Sequence, residues 1–301
     1  MRITLNRRSQ AHDGPTPTFD ISWDRESILL SLKSGAFFMS IYNFPSAYAS
    51  LLTPPPVAAD EIFQWIARCL GSRPQKIMDP ACGPATWLRP FAERGCYVAG
   101  NDLRLQMILE ATKRLRDFPH ELRVGDMRTL SFREKDFDAA INLDASLGHL
   151  PDESAVLAHL RCVWSLLRPG GVYLLGVIVF DDQHEDSAEL LYSEDYQPLE
   201  DGGEAFLRYT SLSRDTTQRK ERIQVELFTR GNPDLPRYFK DTYDLLTFPA
   251  HRLKQLIHQS GFVLLDAQMI DDSAEHVDDI EPDAGDLNLI LQRPLASPSL
   301  R

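Results

Sequence analysis

Three carboxylates close three short apolar stretches in order: Asp79 in "KIMD", Asp102 in "YVAGND" and Asp126 in "LRVGDM". The turn "DPACGPA" follows the first. Gly83 is the one residue there free to take a positive φ, and Ala81 and Ala85 are the smallest substitutes for further glycines. A strand–turn–helix of this kind presents backbone N–H groups at the start of its helix, the usual cradle for a phosphate. Pro84 has no N–H to give, and Asp79 sets a negative charge beside the turn. Both features count against NAD, FAD or ATP. They suit a ligand that lacks phosphate and carries a positive charge.

S-Adenosyl-L-methionine is such a ligand, with a sulfonium, an ammonium and a ribose diol. Asp102 lies 23 residues beyond Asp79, near the spacing of about 20 at which a second strand presents a ribose-binding acid. Asp126 can accept from the adenine amino group, with Met127 packed on the ring. Cys82, inside the turn, reads as a small filler rather than a nucleophile.

The elements that must position these groups show as an alternation. "VAADEIFQWIARCLG" has helical spacing and ends on Gly71 at a C-cap. "KIMD" is a strand, Thr86 to Arg94 a helix, "YVAGND" a strand and Leu103 to Phe118 a helix. "LRVGD" and "FDAAINL" are strands, and "DESAVLAHLRCVWSLL" is a helix opening on Asp152 as N-cap. "VYLLGVIV" is apolar throughout, as in a strand buried on both faces. This pattern predicts an α/β fold with a doubly wound, mainly parallel seven-strand sheet. The alternation stops at Asp181. Residues 205 to 247 have strand composition without intervening helices, which predicts an antiparallel β insertion. "PAHRLKQLIHQSGF" returns to helix, and "FVLLDAQMI" and "LNLILQRP" to strands. The expected division is a tail and N-terminal helical lid over 1–56 and an α/β core over 57–180. The insertion takes 181–247, and the rest of the core 248–301.

Composition narrows the function classes. The 301 residues carry a formal net charge of −12, which argues against nucleic acid and anionic lipid as partners. Cys69, Cys82, Cys96 and Cys162 form no CxxC and no His/Cys metal spacing. No metal site is expected, and the thiols suit a reducing cytoplasm. No apolar run reaches membrane-spanning length, and "MRITLNRRSQ" has no secretory h-region. The segment 271–286 holds eight carboxylates in sixteen residues and reads as a solvated loop. The oligomeric state stays open, a homodimer among the candidates.

"IMDPACGPATWLRPFAERGCYVAGNDLRLQMILEA", "VGDM", "FDAAINLDASLGHLPD" and "LLRPGGVYLLGV" together resemble the class I S-adenosylmethionine-dependent methyltransferases, over roughly residues 42–180 and again at "FPAHRLKQLIHQSGFVLLDA". "IYNFPSAY" and "SLGHLPD" are most similar to small-molecule enzymes of the glycine N-methyltransferase type. The resemblance implies a Rossmann-like fold. It also implies cofactor contacts from Asp79, Ala81, Cys82, Gly83, Asp102, Leu103, Met107, Gly125, Asp126, Met127, Asn142 and Leu143, with Tyr42 and Tyr48 in a lid over the methionine moiety. Pro84 and Ala85 depart from the family's usual Thr-Gly or Ser-Gly. "DPACG" also resembles adenine-N6 DNA methyltransferases, but "NLDA" lacks the prolines of their fourth-strand motif.

Methyl transfer from a sulfonium is an in-line displacement governed by positioning, so few catalytic residues are expected. His149, after the fourth strand, is the candidate proton acceptor; a histidine packed in its loop and bonded to backbone is the alternative. Asp181, Asp182, His184 and Glu185 are candidates to face a cationic amine. Tyr192, Tyr196 and Tyr209 are candidate pocket residues, and Arg237 a candidate clamp for a carboxylate. The expected function is methyl transfer to nitrogen or oxygen of a small-molecule acceptor, with nitrogen favoured. A catalytically silent binding module of the same fold and a nicotinamide-dependent oxidoreductase are the rivals.

Overall fold

The computed structural model describes residues 40–180, 190–269, 276–277, 279–282 and 284–295. After a 3₁₀ turn at Ile41–Asn43 come α1 (Pro45–Leu52) and α2 (Pro56–Leu70). Gly71 ends α2 with φ 66°, a left-handed C-cap. Then β1 (Lys76–Asp79), α3 (Leu88–Glu93), β2 (Tyr97–Asp102), α4 (Leu105–Leu115), β3 (His120–Val124) and β4 (Phe137–Asn142) alternate. A 3₁₀ turn at Ser146–His149 leads to α5 (Glu153–Leu166) and β5 (Leu167–Val179). Asp152 caps α5, its carboxylate accepting from the Ala155 N–H at 2.8 Å. β6 (Leu190–Pro198), β7 (Glu204–Asp215), β8 (Lys220–Arg230) and β9 (Tyr238–Leu246) precede α6 (Ala250–Ser260), β10 (Val263–Met269), β11 (His276–Val277) and β12 (Gly285–Gln292).

The main sheet runs β11-β10-β12-β5-β4-β1-β2-β3. β5, β4, β1, β2 and β3 are mutually parallel; β12 pairs antiparallel with β5, and β10 antiparallel with β12, so that β10 runs in the direction of the parallel strands. Seven of these strands answer the sequence expectation; the eighth, β11, is a two-residue edge that no hydrophobic pattern announces. Chain order reverses between β1 and β4, so the cleft beyond their carboxyl ends is the switch point where such sheets bind ligands. In-register pairing of Asp79 with Gly100 brings the ends of β1 and β2 to that cleft together.

Apolar side chains fill both faces of the sheet. One face holds Met78, Ala140, Tyr173 and Leu175 under α5 and α6. The other holds Ile77, Val98, Ile141 and Leu174 under α2, α3 and α4. Each fully buried leucine or isoleucine contributes about 1.5–3 kcal/mol. A third cluster joins Ile41, Phe44, Ala47 and Leu51 to Leu207, Val225 and Leu227 of the antiparallel sheet β6-β7-β8-β9. No described helix is long and apolar enough to cross a membrane. The acidic cluster Asp181, Asp182, His184 and Glu185 lies outside the described residues, as does much of the acidic segment 271–286.

One helix differs from its expected bounds. Residues 83–87 are a run of turns, and α3 begins only at Leu88. Ala85 as well as Gly83 takes positive φ, 63° and 52°. Gly83 is therefore not the one residue in that conformation, and Ala85 pays the Cβ penalty that glycine avoids, about 1 kcal/mol. The Ala85 N–H donates to the Cys82 carbonyl at 2.9 Å, which closes the turn Pro84 sits in.

Candidate active site

The turn after β1 is tied to β2 by its own backbone. The Gly83 N–H donates to Asp102 Oδ2 at 3.0 Å, and the Cys82 N–H donates to the Asn101 carbonyl at 2.8 Å. Cys82 directs its sulfur into β2, where a Cβ added to Gly100 would stand 2.7 Å from Sγ. Gly100 is thus required by the close approach of this turn. A Cβ on Gly83 would meet only Tyr48, 3.9 Å away, so the open side of the turn faces the Tyr48 ring.

Asp79 is 4% exposed and its Oδ1 accepts from the Ala81 N–H at 2.9 Å. Burial pushes its carboxyl well above the usual carboxylate range, and the charges of Asp144 and Asp102 push it further. Burial also raises Asp102, although N–H groups of Arg104 and Gly83 oppose the shift. Asn142, at the end of β4, is 3% exposed and its buried Oδ1 has no hydrogen-bond partner. The buried carboxyls of Asp79 and Asp102 and the orphaned Asn142 carbonyl oxygen give the mouth an excess of acceptors. A group bearing positive charge and N–H or O–H donors satisfies it, which S-adenosyl-L-methionine does.

At the end of β3 the loop carries Gly125, Asp126 and Met127. Asp126 is held by Arg128, with Nε and Nη2 of the guanidinium donating at 2.6–3.0 Å, and that pairing lowers its pKa. The sequence reading gave this acid to a ligand and overlooked the cation two residues on. Asn101 Nδ2 donates to the Gly125 carbonyl at 2.9 Å. His159 hydrogen-bonds the Met127 carbonyl through Nδ1 at 3.0 Å and the Tyr173 hydroxyl through Nε2 at 2.9 Å. Nδ1 must donate to the carbonyl, so Nε2 accepts from the tyrosine. Burial lowers the His159 pKa to about 4 and keeps that neutral tautomer. This pin was missed: a histidine on the apolar face of α5 carries no sequence signal of its partner. Met107 is buried on α4, whereas Leu103 is 69% exposed beside the mouth.

Opposite the mouth stands an aromatic wall drawn from distant parts of the chain. Tyr42 Oη lies 2.8 Å from His149 Nε2. The Tyr42 ring centroid is 5.6 Å from Tyr48 and 5.8 Å from His149, and the Tyr243 ring of β9 lies tilted at 45° with its centroid 5.2 Å from His149. Tyr42 and Tyr243 lie close enough for each to influence the other's ionisation. The His149 ring is solvent-accessible yet walled in by protein, as expected of a cleft lining. Loss of bulk water lowers its pKa to about 4. Burial raises Tyr42 and Tyr243 well above the ordinary phenol range. All three groups are neutral near pH 7. Its side-chain bond to Tyr42 sets His149 apart from the backbone-bonded loop histidine of the alternative reading.

The other tyrosines divide. Tyr209 lies near enough to Tyr42 to act on it electrostatically. Tyr192 is instead buried against Glu221, and Tyr196 bonds Glu204 at the outer edge of the insertion. Arg237 is exposed and precedes β9, six residues and about 20 Å of strand from Tyr243. Tyr243 itself was not singled out by the sequence.

Comparison with known proteins agrees with this geometry. Residues 77–171 match the family described as "Methyltransferase domain". The putative methyltransferase YqeM of Bacillus subtilis is 25% identical over 227 residues, 75% of this chain and 87% of that protein. The dTDP-3-amino-3,4,6-trideoxy-alpha-D-glucopyranose N,N-dimethyltransferase of Streptomyces venezuelae is 33% identical over 99 residues, 33% of this chain and 40% of that protein. Among solved structures, Streptomyces venezuelae DesVI superposes with a TM-score of 0.64 at 21% identity, covering 82% of this chain and 94% of DesVI. The fold and site define a methyltransferase of the doubly wound α/β type. The chain carries a methyltransferase domain over residues 77–171 and is an S-adenosylmethionine-dependent methyltransferase, with S-adenosyl-L-methionine as cofactor and a small molecule as acceptor.

Proposed function

We propose that the protein methylates an amine nitrogen of a small molecule. The observation that carries this reading is the hydrogen bond at 2.8 Å between Tyr42 Oη and His149 Nε2. An alcohol or phenol must lose its proton before it attacks, and a His149 whose Nε2 is engaged by Tyr42 is poorly placed to take it. A neutral amine already has its lone pair and needs only orientation. The partial match to an amino-sugar N,N-dimethyltransferase supports the same choice.

The cofactor, when bound, supplies an electrophilic methyl group on a sulfonium. Asp79, Ala81, Cys82 and Gly83 would hold its methionyl end together with the Asn142–Leu143 segment. Asp102 and Leu103 would take the ribose diol, and Gly125, Asp126 and Met127 the adenine, with Met107 packed behind them. For Asp126, an adenine amino group shares the carboxylate with Arg128. Tyr42 and Tyr48 would cover the reacting end. In our assignment Tyr42 donates to His149 Nε2, which places the imidazole proton on Nδ1. The proton of the methylated ammonium product then leaves to water rather than to His149. Four free cysteines and the negative net charge support a cytoplasmic setting without nucleic acid.

The test has two stages. Calorimetric titration with S-adenosyl-L-methionine, S-adenosylhomocysteine and NADH should give binding of the first two alone. A panel of primary and secondary amines against matched alcohols and phenols should then show turnover of amines with rates rising as the amine deprotonates. Faster turnover of phenols or alcohols sinks the nitrogen assignment and leaves the cofactor assignment standing.

A further inference from the structure

The strand that supplies Tyr243 also turns one carboxylate inward. Along β9, Phe239, Asp241, Tyr243 and Leu245 are half-buried, while Lys240, Thr242 and Asp244 between them are exposed. Phe239 meets Phe44 with ring centroids 5.1 Å apart, and Tyr243 meets His149 at 5.2 Å. Asp241 lies between these two contacts, about 7 Å of strand from either neighbour. Pairing in register fixes the side it takes. It stands opposite Val225 of β8, which is fully buried in the cluster that joins the insertion to the Ile41–Leu52 region, and Tyr209 of β7 completes the row. Asp241 is close enough to Tyr243 to act on its phenol electrostatically.

Other acids of this sheet are matched by cations. Glu221 pairs with Arg214, Glu226 with Arg208, Asp244 with Arg222 and Glu204 with Arg230. Asp241 differs: its Oδ1 accepts from the Thr242 N–H at 2.8 Å, and among the described residues no lysine, arginine or histidine forms an ion pair with it. A carboxylate partly withdrawn from water in apolar surroundings carries a desolvation cost that an opposite charge offsets. The rings on the same side, Phe239, Tyr243 and Tyr209, favour the same visitor, because the face of an aromatic ring attracts a cation.

We infer that Asp241 is a specificity-determining residue of the acceptor site, the anchor that selects small molecules carrying a positive charge. The inference rests on the amine reading above and narrows it to amines that arrive as cations. An aliphatic amine with a pKa like that of a lysine side chain, about 10.4, is almost wholly ammonium near neutrality. Asp241 and the rings beside it capture that abundant form. The bound ammonium gives a proton to water before its lone pair can attack, so Asp241 governs binding rather than the chemical step. A neutral alcohol gains nothing from the anchor, and an anionic acceptor is repelled by it.

Calorimetric titration of the full chain saturated with S-adenosylhomocysteine tests it. The probes are choline, whose quaternary nitrogen takes no further methyl group, and its uncharged analogue with carbon in place of that nitrogen. Their shapes match, so a difference in affinity reads the charge alone. The wild type should bind choline about tenfold more tightly. Asp241→Asn should bring the two probes within about twofold of each other, and Asp241→Glu should restore the preference, each with S-adenosylhomocysteine affinity unchanged. A wild type that binds both probes alike, or neither, overturns the inference, as does an Asp241→Asn protein that keeps the preference. Should Asp241→Asn lose S-adenosylhomocysteine binding, Asp241→Ser repeats the comparison; loss in both makes the residue structural and overturns the inference too. In the amine panel Asp241→Asn should raise KM about tenfold with kcat within about twofold. Amine turnover with KM unchanged removes Asp241 and leaves the nitrogen assignment standing. Turnover of phenols alone, with the choline preference intact, sinks that assignment and keeps the anchor.

Discussion

The cofactor mouth and the aromatic wall face each other across one cleft but are built in opposite ways. The mouth comes from one continuous stretch, Asp79 to Leu143, each contributing residue at or just past a parallel strand end. The wall comes from three distant stretches: Tyr42 before α1, His149 after β4 and Tyr243 on β9. The mouth is fixed by strand register. The wall exists only once the insertion has folded onto the N-terminal segment, through Phe44 on Phe239 (5.1 Å) and β9 against the Gly148 turn. A register-built site should tolerate change in the insertion, and a packing-built one should not.

The largest effect is expected where the two halves join. Asp286 on β12 is 7% exposed, its Oδ2 has no partner, and burial with the nearby Glu221 raises its pKa to about 7. Its folded-state pKa stands above the unfolded one. Folding is therefore unpenalised below about pH 4, and the cost grows as pH rises, reaching roughly 4 kcal/mol above pH 7. Asp286→Asn should stabilise the protein by a few kcal/mol at pH 8 in urea unfolding and by almost nothing at pH 4. A gain that is the same at both pH values would mean the carboxylate is not the source.

Next is the mouth alone. Asp102→Ala removes a charge-assisted acceptor and should cost about 1.5–3 kcal/mol of cofactor affinity by calorimetry. Circular dichroism of the insertion's strands should be unaltered. The wall gives the converse: Tyr243→Phe and His149→Ala should lower kcat/KM for the acceptor about tenfold, roughly 1.4 kcal/mol, with cofactor affinity unchanged. If either change weakens the cofactor as much as the acceptor, the two halves do not act separately. The smallest effect concerns the turn: Ala85→Gly relieves positive φ and should raise stability by up to about 1 kcal/mol, read as a shift in urea midpoint.

The same contrast explains what could be read from the sequence. Asp79, Asp102 and the loop at Asp126 were legible because an acid closing an apolar run identifies both a strand and its end. Tyr243 was not. In "YFKDTYDLL" alternation assigns it a face of β9 but cannot say that Tyr42, some two hundred residues earlier, lies on that face. Tyr192 and Tyr196 had equal claims by composition, and tertiary packing gave them to Glu221 and Glu204 instead. Arg128 shows a subtler limit, since a neighbour two residues away can neutralise an acid read as a ligand. The delayed start of α3 has a local cause: two positive-φ residues flank Pro84, and helix cannot propagate through them.

The short reach from Tyr42 to Tyr48 touches both sides of the cleft, one ring bonded to His149 and the other over Gly83. A single element that both ligands help to order makes their binding reciprocal: whatever affinity the cofactor lends the acceptor through it, the acceptor returns in equal measure. The same equality of exchange holds between the demethylated cofactor and the methylated product. The thermodynamic cycle of turnover is thus written into seven residues at the cleft's edge.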